Sequence, residues 1–266
     1  MDRVEVVPGL EPELVERVVA RLRKLEPSTV AVLVTGSYAK GTADEDSDLD
    51  VNVLTDDKPS SDYRMWFDER PGQKDLHVSP SVRSLHQSLA ERDEPQDWAL
   101  GFPVRNDVRY VWTTDGARTL LGDPPSSVHP PAPPELEDFV EFLTKVRRAS
   151  SRGHGAGIRA FAREAAVLAP GLLRTLNEDV AVRDRLEALE AALSLRVAPE
   201  HYRDDLEVAL GLIEASDEDV TKAAFRLGHE LLAFLRDRKP DVDDQPDIAH
   251  YLADGTLERH LGFTTD

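Results

Sequence analysis

The most constraining feature of the chain is the stretch Val30 to Leu54, in which a continuous apolar run is followed by a Gly-Ser pair and then by an Asp-x-Asp. Val30 to Val34 has the length and β-branched content of a buried strand. Gly36 and Ser37 follow, with Gly41 four residues beyond, and then Ser47-Asp48-Leu49-Asp50 leads into Val51-Asn52-Val53-Leu54. Residues two apart on a strand share a face. The alternation therefore points Asp48 and Asp50 one way and Leu49, Val51 and Val53 into the core. Two carboxylates side by side repel and cannot be buried without neutralisation. A hard divalent cation such as Mg²⁺ meets that need, since it takes oxygen ligands from one or two carboxylates and completes its shell with phosphates. A Gly-Ser turn is the complementary half, because glycine admits close backbone approach and the hydroxyl and N–H groups donate to anionic oxygens.

Gly36-Ser37, a gap, and Asp48-Leu49-Asp50 on a strand resemble the signature of the polymerase-β-type nucleotidyltransferase superfamily. A hairpin with a polar turn and an acidic solvent face would not explain an Asp pair flanked by apolar positions. The resemblance implies an α/β (α+β) nucleotidyltransferase domain with a mixed sheet. It also implies ATP or another nucleoside triphosphate as substrate and two Mg²⁺ ions. Asp48 and Asp50 are then metal-binding and catalytic, and Gly36 and Ser37 hold the triphosphate. The superfamily usually adds a third carboxylate on a neighbouring strand. Lys74-Asp75-Leu76-His77-Val78-Ser79 alternates as a strand, and Asp75 is the candidate, as metal ligand or base, with His77 on the same face.

The rest of the chain reads as two halves. An amphipathic helix over Glu11 to Leu25 carries Leu14, Val18, Leu22 and Leu25 on one face. Ser84 to Ala90 suits a helix, Asp107 to Thr113 a strand, and a short helix ends near Leu121-Gly122. Six prolines crowd Asp123 to Pro134, which makes that segment stiff and extended. Helical periodicity follows over Glu135–Arg148, Ile158–Leu168, Leu172–Leu176, Val182–Leu195, His201–Ala215 and Glu218–Arg238, with Ala169-Pro170-Gly171 as a break. The expected organisation is a catalytic domain at 1–123, a Pro-rich linker at 124–134 and an all-α helical bundle domain at 135–266. A mixed catalytic half before a helical half, joined through Ala117 to Pro125, is similar to aminoglycoside-type adenylyltransferases. There the helical domain closes the cleft and brings basic residues to the triphosphate. Lys145, Arg159 and Arg163 are the candidates here.

Charge and composition narrow the partners. With 51 acidic and 32 basic residues the net charge is -19, against the basic footprint of a protein that tracks long nucleic acid. An acidic cleft would favour a small, hydroxylated, cationic acceptor. There is no cysteine, which removes disulfides and thiolate chemistry. No apolar run has membrane-spanning length and the first residues lack a signal-peptide pattern, so a cytoplasmic protein is expected. The eight histidines show no i, i+4 pair. Three functions remain: transfer of a nucleoside monophosphate (AMP from ATP) to a small molecule such as an aminoglycoside-like antibiotic, the same transfer to a protein side chain or RNA end, and a non-enzymatic nucleotide-binding module. The intact Asp pair speaks against the last.

Overall fold

The computed structural model describes residues 4–59, 65–95, 99–123, 126–238 and 246–263. Tyr63, Arg64 and Trp98 fall outside them. The chain forms two compact units, one of 1–94 with 105–129 and one of 95–104 with 130–266. The expected 124–134 linker therefore contains a strand of the first unit, and the ten residues 95–104 leave the expected catalytic span to join the helical one.

In the first unit α1 (Pro12–Leu25) precedes β1 (Thr29–Val34), α2 (Gly36–Lys40) and β2 (Leu49–Thr55). Then come β3 (Trp66–Asp68), β4 (Leu76–Ser84) and α3 (Leu85–Ala90). After the excursion come β5 (Val104–Asp107), β6 (Arg109–Thr113), α4 (Asp115–Leu121) and β7 (Ser126–His129). The main sheet has the order β3-β4-β2-β1-β6. It is mixed, as expected: β2 and β4 run parallel, and the other neighbouring pairs are antiparallel. β5 and β7 form a separate ribbon. The Asp107–Thr113 stretch divides at Val108 between β5 and β6 rather than forming one strand.

Alternation along the strands separates two cores. Val32, Val34, Leu49, Val51, Val53 and Val78 meet Leu14, Val15, Val18, Val19 and Leu22 of α1. Ala31, Leu33, Leu54 and Tyr110 meet Leu85, Ala117 and Leu121 on the opposite face. Leu25, expected on the buried stripe of α1, is 43% exposed, because the helix stops there and Pro27 follows. Asp50 and Asn52 alternate with core positions of β2 and so lie on the face opposite α1.

The second unit is helical: α5 (Leu136–Ser151), α6 (Gly155–Leu173), α7 (Arg185–Leu193), α8 (Tyr202–Leu210), α9 (Asp217–Arg238), α10 (Pro246–Ala253) and α11 (Thr256–Leu261). α5, α6, α8 and α9 share one core with Phe139, Leu143, Leu172, Leu206 and Leu231 fully buried. Buried charge is compensated. Asp205, 1% exposed, accepts two hydrogen bonds from Arg226 at 2.7 and 2.6 Å and ties α8 to α9, and Glu258 of α11 accepts one from Arg236 of α9 through Oε1, its Oε2 having no partner among the described residues. Among the described residues no helix is long and apolar enough to cross a membrane.

Ala169-Pro170-Gly171 does not break α6, which runs through it. Packing outweighs the lost N–H: Pro170 and Gly171 are buried, and Gly171 lies against Gly101 of the 95–104 segment. Gly101 has φ +77, and a Cβ there would stand 2.4 Å from Gly171 Cα. Beside it Ala99 and Phe102 are fully buried in the helical core. Gly101→Ala is expected to destabilise the protein by about 1–3 kcal/mol, from left-handed strain plus a backbone collision. A shift in the urea midpoint measures this, and an unchanged midpoint would show that the segment packs otherwise.

Candidate functional site

β1 ends at Val34 and the chain turns at once into α2, so Gly36 and Ser37 form the first residues of a helix rather than an open turn. Gly36 has φ +63, and a Cβ on it would lie 2.3 Å from Asp50 Oδ2. Thr35 N donates to Asp50 O at 3.1 Å. These contacts lay the Gly-Ser backbone directly against the Asp50 carboxylate. Ser37 O accepts from Thr42 N at 3.0 Å. Ser37 is half-buried, and its hydroxyl has no partner among the described residues, which leaves it available to a ligand. The far end of α2 is fastened by Arg109, whose Nε donates to Ala39 O at 2.8 Å.

The loop before Asp48 closes on itself. Ser47 Oγ donates to Asp44 Oδ1 at 2.9 Å, and Asp44 N donates to Ser47 Oγ at 3.0 Å. Asp46 N adds a bond to the same carboxylate at 3.0 Å, and these bonds hold the Asp44 carboxyl below its ordinary range, with Ser47 the main cause. Lys74 Nζ meets Asp46 at 2.5 Å. Ser47 is thus a loop-forming residue that delivers Asp48 to the start of β2.

Asp48 lies just before β2, and Asp50 lies within it. Burial raises the Asp50 pKa above its ordinary value, and the charge of Asp48 raises it further; His77 and Lys40 pull it down. The two carboxylates therefore feel each other as the sequence reading expects. Asp75 is exposed and precedes β4, which begins at Leu76. Parallel pairing of Leu49 with Val78 and of Asp50 with Ser79 sets His77 at the level of Asp48. His77 Nδ1 is 3.8 Å from Asp48 Oδ2. Its ring stacks on Phe67 with centroids 5.1 Å apart, and its Nε2 is buried without a partner among the described residues. On the Asp50 face β4 presents His77, Ser79 and Ser81 and no carboxylate. The structure thus gathers Gly36, Ser37, Asp48 and Asp50 with His77, and leaves Asp75 at the edge.

Sequence reasoning missed Lys40 and Arg109. Lys40 lies one helical turn beyond Ser37, a spacing that could have flagged it; Arg109 carries no local signal, since β6 reaches α2 only through the sheet. Among the described residues no three histidine or carboxylate side chains stand close enough to hold a metal alone. Two mutually repelling carboxylates with open coordination nevertheless suit a hard cation whose other ligands come from phosphate and water. Of the cations proposed in the helical unit, Arg159 is engaged by Asp217 at 2.8 Å and Lys145 by Glu141 at 3.0 Å.

The raised Asp50 pKa has a stability consequence. Protons bind the folded state more tightly than the unfolded one, so stability falls as pH rises from about the ordinary value of 3.8 through the raised value. The full cost is present at neutral pH. Asp50→Asn is therefore expected to raise the urea midpoint at pH 7, with the gain disappearing at acid pH where both chains carry a neutral group. A variant less stable than the parent at pH 7 would contradict this.

Comparison with known proteins bears on the two units separately. Residues 15–93 match the model of the nucleotidyltransferase domain, and residues 135–237 match that of the nucleotidyltransferase substrate-binding domain of the Ant-IIb type. No curated protein matches the chain. Among solved structures it is similar to a nucleotidyltransferase-like protein from Exiguobacterium sibiricum, with 13% identity over 93% of this chain and 89% of that one and a TM-score of 0.39.

Proposed function

The chain belongs to the polymerase-β-type nucleotidyltransferase superfamily, and on that premise we propose that it transfers a nucleoside monophosphate, AMP from ATP, to a hydroxyl of a small molecule, releasing pyrophosphate. The observation that carries this reading is the contact of Gly36 with Asp50, which joins an anion cradle to a carboxylate pair. A small-molecule acceptor is supported by the substrate-binding domain over 135–237. A hydroxylated antibiotic of the aminoglycoside kind is the acceptor class implied by the family resemblance.

Each residue has a part in the transfer. Ser37 Oγ and the α2 backbone donate to the β- and γ-phosphates and fix the chain of phosphates in line. Asp48 and Asp50 would hold Mg²⁺. When bound, that cation stabilises the charge on the attacking and leaving oxygens. His77, against Asp48 and packed on Phe67, faces the acceptor hydroxyl and takes its proton. Asp75 has no part in this scheme.

Screening pyrophosphate release across the four nucleoside triphosphates and a panel of hydroxylated acceptors tests the function. Release that requires Asp48 and Asp50 supports it, and none with any pair overturns it. Ser37→Ala should weaken triphosphate binding by about 1–3 kcal/mol, the usual loss for a hydrogen bond to a charged group; calorimetry reads this, and an unchanged affinity removes Ser37 from the cradle. His77→Ala should lower turnover about 10²–10⁴-fold, as loss of a general base does, whereas Asp75→Asn should stay near the parent. The reverse ranking would restore Asp75 as the third site residue.

A further inference from the structure

The helical unit contains a cavity of about 420 Å³ between α5 and α6, within the ordinary size range of ligand sites. One wall is the end of α5 and its C-cap, with Lys145, Arg148 and Arg152 spaced three and four apart; the other is the N-cap and start of α6, with His154, Gly157 and Phe161, and Arg148, Arg152 and His154 stand exposed at the rim. Three cations on one concave wall are unexpected in a chain of net charge -19. Glu141 pairs with Lys145, but the guanidinium groups of Arg148 and Arg152 have no ion pair or hydrogen bond among the described residues. Elsewhere acids take up arginines at Arg159, Arg183, Arg203, Arg226 and Arg236.

The opposite wall is fitted to this one. His154 Nδ1 accepts from Gly157 N at 2.9 Å, so that nitrogen carries no proton, and in the neutral ring the proton lies on Nε2 as a further donor. A Cβ on residue 157 would lie 2.8 Å from His154 Nδ1 and 3.2 Å from Ala149 Cβ. Glycine there lets α6 close on α5 while keeping the imidazole in place. Lys145 Nζ stands 4.5 Å from the Phe142 ring centre and 6.0 Å from that of Phe161. The cavity thus joins a cationic wall to an aromatic one.

We propose that this cavity is a binding site for a small ligand that carries an anionic group, phosphate or carboxylate, on an apolar or aromatic body. The inference goes beyond the transferase reading above and does not depend on it. The anion docks on Arg148 and Arg152, with fork geometry suited to a planar or tetrahedral oxyanion, and the ring of the ligand packs on Phe161. Because the cavity lies wholly in the span matched to the substrate-binding domain, it is complete without the carboxylate site.

The test uses phenyl phosphate as probe, titrated calorimetrically into the full chain, into Arg148→Glu/Arg152→Glu and into Phe161→Ala. Circular dichroism melts confirm that the variants fold. Saturable binding to the parent is expected. It should weaken about 10–100-fold in the double arginine variant, the effect of losing charge-assisted hydrogen bonds, and less in Phe161→Ala. Benzylammonium should not bind there, and Mg²⁺–ATP affinity should be unchanged in the double variant. Absence of phenyl phosphate binding, or equal binding by parent and double variant, overturns the proposal. So does a parallel fall in Mg²⁺–ATP affinity, which would assign the cavity to the donor's triphosphate. Failure of the transferase reading would look different, with phenyl phosphate binding intact and no pyrophosphate released from any pair.

Discussion

Everything in the candidate site depends on how closely the backbone at Gly36 approaches the Asp50 carboxylate. A side chain at residue 36 would meet Asp50 Oδ2 at 2.3 Å, and its left-handed backbone would cost an L-residue about 1–2 kcal/mol. Both demands select glycine. The approach lets one end of the sheet present hydrogen-bond donors and carboxylates within one ligand's length. It also has an energetic cost. Asp50 is partly buried beside Asp48, and its raised pKa reports that strain. Lys40 and His77 reduce the strain, and a bound cation would remove it. Such a site is stabilised by its ligands rather than by its own packing.

The Asp-x-Asp strand could be read from the sequence because a period of two is a local property. Leu49, Val51 and Val53 announce their core face, so Asp50 and Asn52 must take the other. The third member could not be read in the same way. Asp75 and His77 have the same parity, and alternation alone does not say where β4 starts. The pairing of Leu49 with Val78 brings His77 level with Asp48 and leaves Asp75 before the strand, and that register is set by two strands more than twenty residues apart in sequence.

Two other departures have the same origin in long-range packing. Pro170 and Gly171 have the composition of a helix stop, yet the approach of Gly101 keeps them inside α6. Residues 95–104 lie within the expected catalytic span, but Phe102 is buried among helices that begin more than thirty residues later. The distribution of charge depends on packing in the same way. Most of the acidic excess lies on exposed faces, where screening keeps it weak, while the α5–α6 cavity gathers cations whose spacing along α5 was visible but whose shared wall was not.

The most direct test of this account is the effect of Gly36→Ala on the binding of a non-hydrolysable ATP analogue in the presence of Mg²⁺, followed by calorimetry beside a circular dichroism melt. The account expects a chain that still folds, since α2 is a short helix at the end of the sheet. It also expects a loss of affinity of about tenfold or more, because the new methyl group displaces the Asp50 carboxylate or the Gly-Ser backbone and so changes the spacing of donors and carboxylates. A folded Gly36→Ala chain that bound the analogue as tightly as the parent would contradict the claim that this contact builds the triphosphate site.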